Sequence, residues 1–206
     1  MHITIAGSSN VGRALASGWH KTGHSVTFAT RDVSGEKAGE LRKEGFGVVP
    51  LNDAATSADV IVLAVPWTAV EATIRSLGGF AGKVLIDTTD PLRSGRELAI
   101  GFGDSGGEAV ARLAPSARVV KAFSTTGSHN MADSNYPGGK LMMALAGDDT
   151  PAKEIVMALV ADLGFDPIDT GPLTMSRYLE PLAMLWINLA YTEQFGPNIG
   201  FALLRR

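Results

Sequence analysis

The sequence contains no cysteine, which excludes disulfides, thiolate catalysis and cysteine-ligated metal. It has no excess of positive charge either: 18 Lys and Arg stand against 21 Asp and Glu, a formal net charge of -3. Nothing electrostatic therefore recommends nucleic acid or an anionic membrane as a partner. Long apolar runs are also missing. The longest apolar-rich stretch, Pro181 to Ala190, is interrupted by Asn188 and falls short of the ~20 residues that a membrane-spanning helix needs, so a buried helix is expected there. The first residues, Met1-His2-Ile3-Thr4-Ile5-Ala6-Gly7, lack the basic and long apolar regions of a signal peptide and read as a strand. The cytoplasm is the simplest location to expect.

What is present is an ordinary globular composition, 45% hydrophobic and 19% charged over 206 residues, sufficient for one α/β domain with or without a small appendage. Runs rich in β-branched residues predict strands at His2 to Ala6, Ser25 to Thr30, Val48 to Leu51, Asp59 to Val65, Lys83 to Asp87, Arg118 to Phe123 and Leu141 to Ala146. Helical patterns fall between them, at Val11 to Trp19, Glu36 to Lys43, Trp67 to Leu77, Glu108 to Leu113 and Pro151 to Leu163, and Gly101 to Gly107 reads as a flexible loop. This alternation predicts an α/β fold of Rossmann type, a doubly wound and mostly parallel sheet. Val60 to Val65 and Val84 to Ile86 are apolar without alternation, as expected of central strands buried on both faces.

After Gly171-Pro172 the pattern changes to one long, largely apolar helix, Met175 to Phe195, ending near Gly196-Pro197. The chain thus divides into a nucleotide-binding domain, 1–172, and a C-terminal helical segment, 173–206. A helix apolar on most sides must be enclosed. It packs across the end of the sheet or is shared with a second subunit. The second is the expectation, because a shared helix would make a homodimer contact and wall the acceptor pocket at the nicotinamide end.

The turn after the first strand reads Gly7-Ser8-Ser9-Asn10-Val11-Gly12, the spacing of a dinucleotide fingerprint with Ser9 in place of its second glycine. Small residues let the backbone approach a pyrophosphate, and the tip of the helix opened by Asn10 offers free N–H groups and a positive dipole end. A tight βα turn would need glycines too, but the position after the first strand and before an amphipathic helix favours the nucleotide. Where NAD-binding units carry an acid at the end of the second strand, this chain has Thr30-Arg31. A guanidinium there suits a 2′-phosphate and predicts NADP(H). Asp32 would be an NAD-type acid if the strand ran one residue further. Lys37 can reach the same phosphate, although a helix-surface lysine is the plainer reading.

Ligands of open α/β sheets lie at the carboxyl ends of strands. The segments Ala64-Val65-Pro66-Trp67, Asp87 to Pro91 and Ala122 to Thr126 are therefore expected to line the nicotinamide half. Together with Gly7 to Gly12, Thr30-Arg31, Lys121-Ala122-Phe123, Asp169 to Leu173 with Ser176-Arg177, and Gly200 to Arg206, they make the chain resemble the NADPH-dependent coenzyme F420 reductases, the F420:NADP oxidoreductases, over nearly its whole length. The resemblance implies a Rossmann domain with a short helical C-terminal segment, usually homodimeric, that moves hydride between NADPH and a 5-deazaflavin. By matching positions it implies that Gly7, Ser8, Ser9, Asn10 and Val11 cradle the pyrophosphate, that Thr30 and Arg31 bind the 2′-phosphate, and that Ala64, Val65, Pro66 and Ala122 lie near the nicotinamide. The chain departs from the family at Ser9 and, beside the acceptor pocket, at Asp90 and Ser124, both in place of the usual Asn. Related branches reduce flavin, iron or other acceptors.

No catalytic diad or triad is apparent, which suits hydride transfer between two rings. His129 is a candidate proton donor or a bystander. Asp87 and Asp90 could suggest a metal site or an acid/base pair, but two carboxylates are too few for a metal, and none is expected; at a strand end they read as turn caps. Ser124-Thr125-Thr126 serves the acceptor or its own loop, and Met142-Met143, Met175 and Trp186 could form a ring-binding surface, with core filling the plainer reading. Two other functions share these features: a non-catalytic NADP-binding sensor, and a small imine or carbonyl reductase.

Overall fold

The computed structural model describes residues 1–93, 97–192 and 195–206. In chain order it forms β1 (His2–Ala6), α1 (Asn10–Lys21), β2 (Ser25–Thr30), α2 (Glu36–Lys43), β3 (Gly47–Pro50), β4 (Val60–Leu63), α3 (Val70–Ser76), β5 (Val84–Asp87), α4 (Gly106–Leu113), β6 (Arg118–Lys121), α5 (Ser128–Ala132), β7 (Met142–Gly147), α6 (Thr150–Asp162), β8 (Asp166–Asp169) and α7 (Ser176–Tyr191). The strands make one sheet in the order β3-β2-β1-β4-β5-β6-β7-β8. Neighbouring strands run parallel except at β6 and β7, which pair antiparallel. The expected Rossmann-type sheet is thus present, with β4 and β5 at its centre.

Period-two burial accounts for the layering. Ile3, Ile5, Val60, Val62, Val84 and Ile86 face one core, against Leu15 and Trp19 of α1 and Val156 and Leu159 of α6. Ala6, Ile61, Leu63 and Leu85 face the other, against Val70 and Ile74 of α3 and Val110 of α4. Strands buried on both faces need no polar alternation, which is why these runs read as continuous apolar stretches.

The structure corrects several expectations. An eighth strand, β8, joins those expected: Asp-Pro-Ile-Asp has poor strand propensity, and Pro167 is tolerated because β8 closes the edge of the sheet. The sixth strand stops at Lys121, because Phe123 adopts a left-handed φ of 61° that breaks the extended run. Gly106 and Gly107 are not loop but the first turn of α4. Ser105 caps it, accepting from Glu108 N at 3.1 Å while its hydroxyl donates to Glu108 Oε2 at 2.7 Å, a reciprocal cap legible as Ser-x-x-Glu. The last helix ends at Tyr191, short of the expected Phe195; residues 193–194 lie outside the described residues. Its inner face, Ser176, Leu179, Glu180, Ala183, Trp186 and Ala190, is buried within the chain itself, while Tyr178 and Leu185 on the outside are 63% and 49% exposed. Among the described residues no helix is long and apolar enough to cross a membrane.

Candidate functional site

The chain reverses its direction of travel across the sheet between β1 and β4: from β1 it proceeds to β2 and β3 on one side, then returns to place β4 on the other. A crevice at the carboxyl ends of the strands is the geometric consequence of that reversal. It is present as a cleft of about 520 Å³ whose walls come from the ends of β1, β2 and β4. Gly7, Ser8, Ser9, Thr30, Arg31, Ala64, Val65 and Pro66 all line it, so residues far apart in sequence meet as expected. Asn10, Val11 and Ala122 are not among its lining. Asn10 and Val11 open α1, where first-turn N–H groups have no intrahelical acceptor. Ala122 is fully buried in the core, and its N–H donates to Asp87 O at 3.1 Å.

The fingerprint turn explains its own substitutions. Gly7 has a φ of +107°, and a Cβ there would stand 2.4 Å from Ala64 O. At Gly12 a Cβ would stand 2.8 Å from Gly7 O. Both positions are closed to any side chain, because β1, β4 and α1 converge on them. Ser9, by contrast, has an ordinary φ of -67° and caps α1 by accepting from Gly12 N at 3.2 Å. The middle glycine of the motif is therefore dispensable here, and the Ser9 hydroxyl hydrogen stays available to a ligand.

At the other end of the cleft, Arg31 and Lys37 are exposed, and both line the same space. Neither makes a hydrogen bond or ion pair among the described residues. Two cations without a bonded partner among the described residues thus face a cleft that Asp32 and Glu36 also line, and together they fit a phosphate. The Thr30 hydroxyl donates to Asp32 O at 3.1 Å, so its hydrogen already serves the loop. Asp32 is a lining residue too, but its Oδ1 accepts from Ser34 N, Ser34 Oγ and Gly35 N, each at 2.9 Å. Those bonds, the Ser34 hydroxyl first, hold its carboxyl below the usual range. Asp32 thus shapes the loop before α2, and β2 ends at Thr30, so the longer strand that the reading of Asp32 as a ribose-binding acid required is not formed. The cradle at Gly7 and Gly12, the open tip of α1 and the cations at Arg31 and Lys37 together suit a dinucleotide with a 2′-phosphate.

Further along the rim, a buried charge cluster appears that the sequence did not announce. Asp87 Oδ1 accepts from Thr89 N at 2.9 Å and Thr89 Oγ1 at 2.7 Å, the expected turn cap. Its other oxygen lies 3.1 Å from Lys121 Nζ, which also donates to Thr89 O. Glu180 of α7 lies 3.1 Å from the same ammonium and accepts from Gly106 N and Gly107 N at 2.9 and 3.0 Å. The charges from Asp87 and Glu180 push the Lys121 pKa upward against the opposing effect of burial, which is individually the largest influence. The signals were a lysine inside an apolar strand and a lone acid on the inner face of an apolar helix. His129 is exposed on α5, and its ring makes no hydrogen bond or ion pair among the described residues. Thr125 and Thr126 bond inward, to Met143 Sδ and from Asn130 Nδ2, whereas Ser124 Oγ has no partner among the described residues. Met143 and Trp186 are core. No cluster of ligating side chains suited to a metal occurs among the described residues.

Comparison with known proteins points the same way. Residues 2–91 match the family described as NADP oxidoreductase, coenzyme F420-dependent. A solved structure from Arthrobacter sp. FB24, named as a candidate F420-dependent NADP-reductase, is 30% identical, with a TM-score of 0.90 over 98% of this chain and 99% of its own. The F420-dependent NADP reductase of Methanothermobacter thermautotrophicus is 29% identical over 90% of this chain and 87% of its length. Metalloreductase STEAP3 of Rattus norvegicus is 28% identical over 89% of this chain, which spans only 37% of that protein.

Proposed function

Because the chain belongs to the coenzyme F420-dependent NADP oxidoreductases, we propose that it passes a hydride between NADPH and a deazaflavin of the F420 type or a flavin-like acceptor. The observation that carries the nucleotide part is the pair of cations, Arg31 and Lys37, which have no bonded partner among the described residues and line the cleft that Gly7 opens. In this reading the tip of α1 takes the pyrophosphate through the N–H groups of Asn10 and Val11 and the hydroxyls of Ser8 and Ser9. Arg31 and Lys37 hold the 2′-phosphate, and Ala64, Val65 and Pro66 lie against the nicotinamide ribose. The dinucleotide supplies the hydride; the protein holds donor and acceptor at near contact and keeps water out.

Residues 173–206 complete the acceptor end. The inner face of α7 closes over the ends of β5 and β6 through Glu180 and through Trp186, which packs on Gly127. Its outer face, with Tyr178 and Leu185 exposed, is the surface for a homodimer.

Loss of NADPH absorbance in the presence of coenzyme F420, FMN, FAD or a ferric chelate, with NADH as control, tests the reading. Rapid oxidation of NADPH by F420 is expected. Tight NADPH binding with no oxidation by any acceptor would instead identify a binding protein.

A further inference from the structure

Two polar atoms just beyond β5 and β6 are left unsatisfied by the fold. Asp87 and Lys121 are the last residues paired between these strands, and Asp90 and Ser124 stand equally far past them on the two departing chains. Asp90 Oδ1 and Ser124 Oγ are both shut off from solvent without a hydrogen-bond partner among the described residues. Such orphans are exceptional in folded proteins and mark a missing partner. Ser124 as a whole is 5% exposed, and Phe123 before it is held at a φ of 61°, so the chain turns sharply at this point. Asp90 differs in that part of its surface reaches solvent while Oδ1 faces inward.

The charges around Asp90 favour its neutral form. Three charged groups act on it: Lys121 from β6, Glu180 from α7 and Asp87 from β5. The single ammonium already has Asp87 and Glu180 at 3.1 Å each. An ionised Asp90 would be a third carboxylate around one cation in a dry setting. Burial, reinforced by Glu180 and Asp87 and opposed by Lys121, pushes its carboxyl up to about 7.

The NADP cleft ends at the residues that follow β4, and β5 is the next strand along the rim. An acceptor facing the nicotinamide would therefore meet the turns after β5 and β6. We propose that Asp90 is a catalytic acid, which meets the electron acceptor beside Ser124 and gives it the proton that accompanies the hydride. This rests on the hydride-transfer reading above. The C4–H bond of NADPH breaks and its electron pair forms a C–H bond on the acceptor. The Asp90 O–H bond breaks and its proton goes to the acceptor's ring nitrogen. NADP+ and the Asp90 carboxylate remain, and water reprotonates the carboxylate from its exposed side. The acceptor class that follows is a heterocycle taking hydride and proton together, a deazaflavin, flavin or cyclic imine, and not a one-electron ferric chelate.

Stopped-flow reduction of F420 by NADPH, from about pH 5.5 to about pH 9, compares the wild type with Asp90→Asn, Asp90→Ser and Ser124→Ala. The wild-type rate should fall as pH rises through about 7. Both Asp90 variants should be slower by roughly 100-fold without that fall, at unchanged NADPH affinity. Titration of F420 itself would appear in every profile. Infrared spectra give a readout that needs no turnover: a carboxylic acid carbonyl band near pH 6 that is lost at high pH and missing from Asp90→Asn. Because its folded-state pKa is raised, the stability that protonated Asp90 contributes should be lost as pH rises from the ordinary carboxylate range through about 7, so the midpoint of Asp90→Asn should gain on wild type over that range and keep the gain above it. An ionised Asp90 at pH 6, or a wild-type pH profile retained by the Asp90 variants, overturns the assignment. Wild-type protein that binds NADPH yet reduces no F420, flavin or cyclic imine overturns the hydride-transfer reading, and the assignment with it.

Discussion

Glu180 of the last helix and Lys121 at the end of the sixth strand lie 3.1 Å apart with both side chains sealed from solvent. That contact fastens the C-terminal helix to the sheet beside the carboxyl ends of β5 and β6. The same carboxylate caps the first turn of α4, so one side chain orients three elements.

Breaking such a pair from one side leaves an uncompensated buried charge. Lys121→Met should lower stability by about 3–5 kcal/mol in urea unfolding, since Asp87 and Glu180 would both lose their cation. Glu180→Gln should cost less, because Asp87 still balances Lys121 and the amide oxygen keeps one of the two bonds accepted from α4, although its NH2 faces the other N–H. A Lys121→Met protein within about 1 kcal/mol of wild type would show that the cluster contributes little net stabilisation.

Cofactor choice should depend on Arg31. It lines the cleft, is exposed and has no partner among the described residues, so Arg31→Ala should leave folding intact. The ratio of NADPH to NADH efficiency is expected to fall by about 10- to 100-fold, the size of a charge-assisted hydrogen bond, while NADH values hold. Lys37→Ala should produce a smaller change in the same direction. An unaltered ratio in both variants would place the 2′-phosphate elsewhere.

The glycines of the first turn should respond very unlike Ser9. Gly7→Ala forces a side chain into a left-handed backbone 2.4 Å from Ala64 O, and should abolish NADPH binding in calorimetry along with a loss of thermal midpoint. Ser9→Gly should retain binding and lose only a few tenths of a kcal/mol, whereas Ser9→Ala should lose about 1 kcal/mol with its cap. Tight NADPH binding by Gly7→Ala would contradict the close approach of β1 and β4 at the cradle.

The nucleotide half was readable because its signals are local. Glycine at 7 and 12, an amphipathic helix directly behind, and Thr30-Arg31 at the end of the second strand each follow from backbone periods and spacing within a short stretch of chain. Lys37 is harder to read for the opposite reason: whether a helix-surface lysine faces solvent or a cleft depends on how α2 packs beside β3 at the sheet. The start of α4 was legible in Ser105 and Glu108 but masked by two glycines, whose amides are held by Glu180 from far along the chain.

The order of residues by itself determined the alternation of strands and helices, the place of the phosphate cradle and the cationic end of the second strand. Those depend on periodicity and on which residues tolerate a tight turn. Only the tertiary structure decided that β8 completes the sheet, that β7 runs against β6, and that Lys121 is enclosed by Asp87 and Glu180 with Asp90 beside them. Pairing and charge compensation join segments distant in sequence, and their energies depend on a dielectric and a geometry that exist only once the chain has folded.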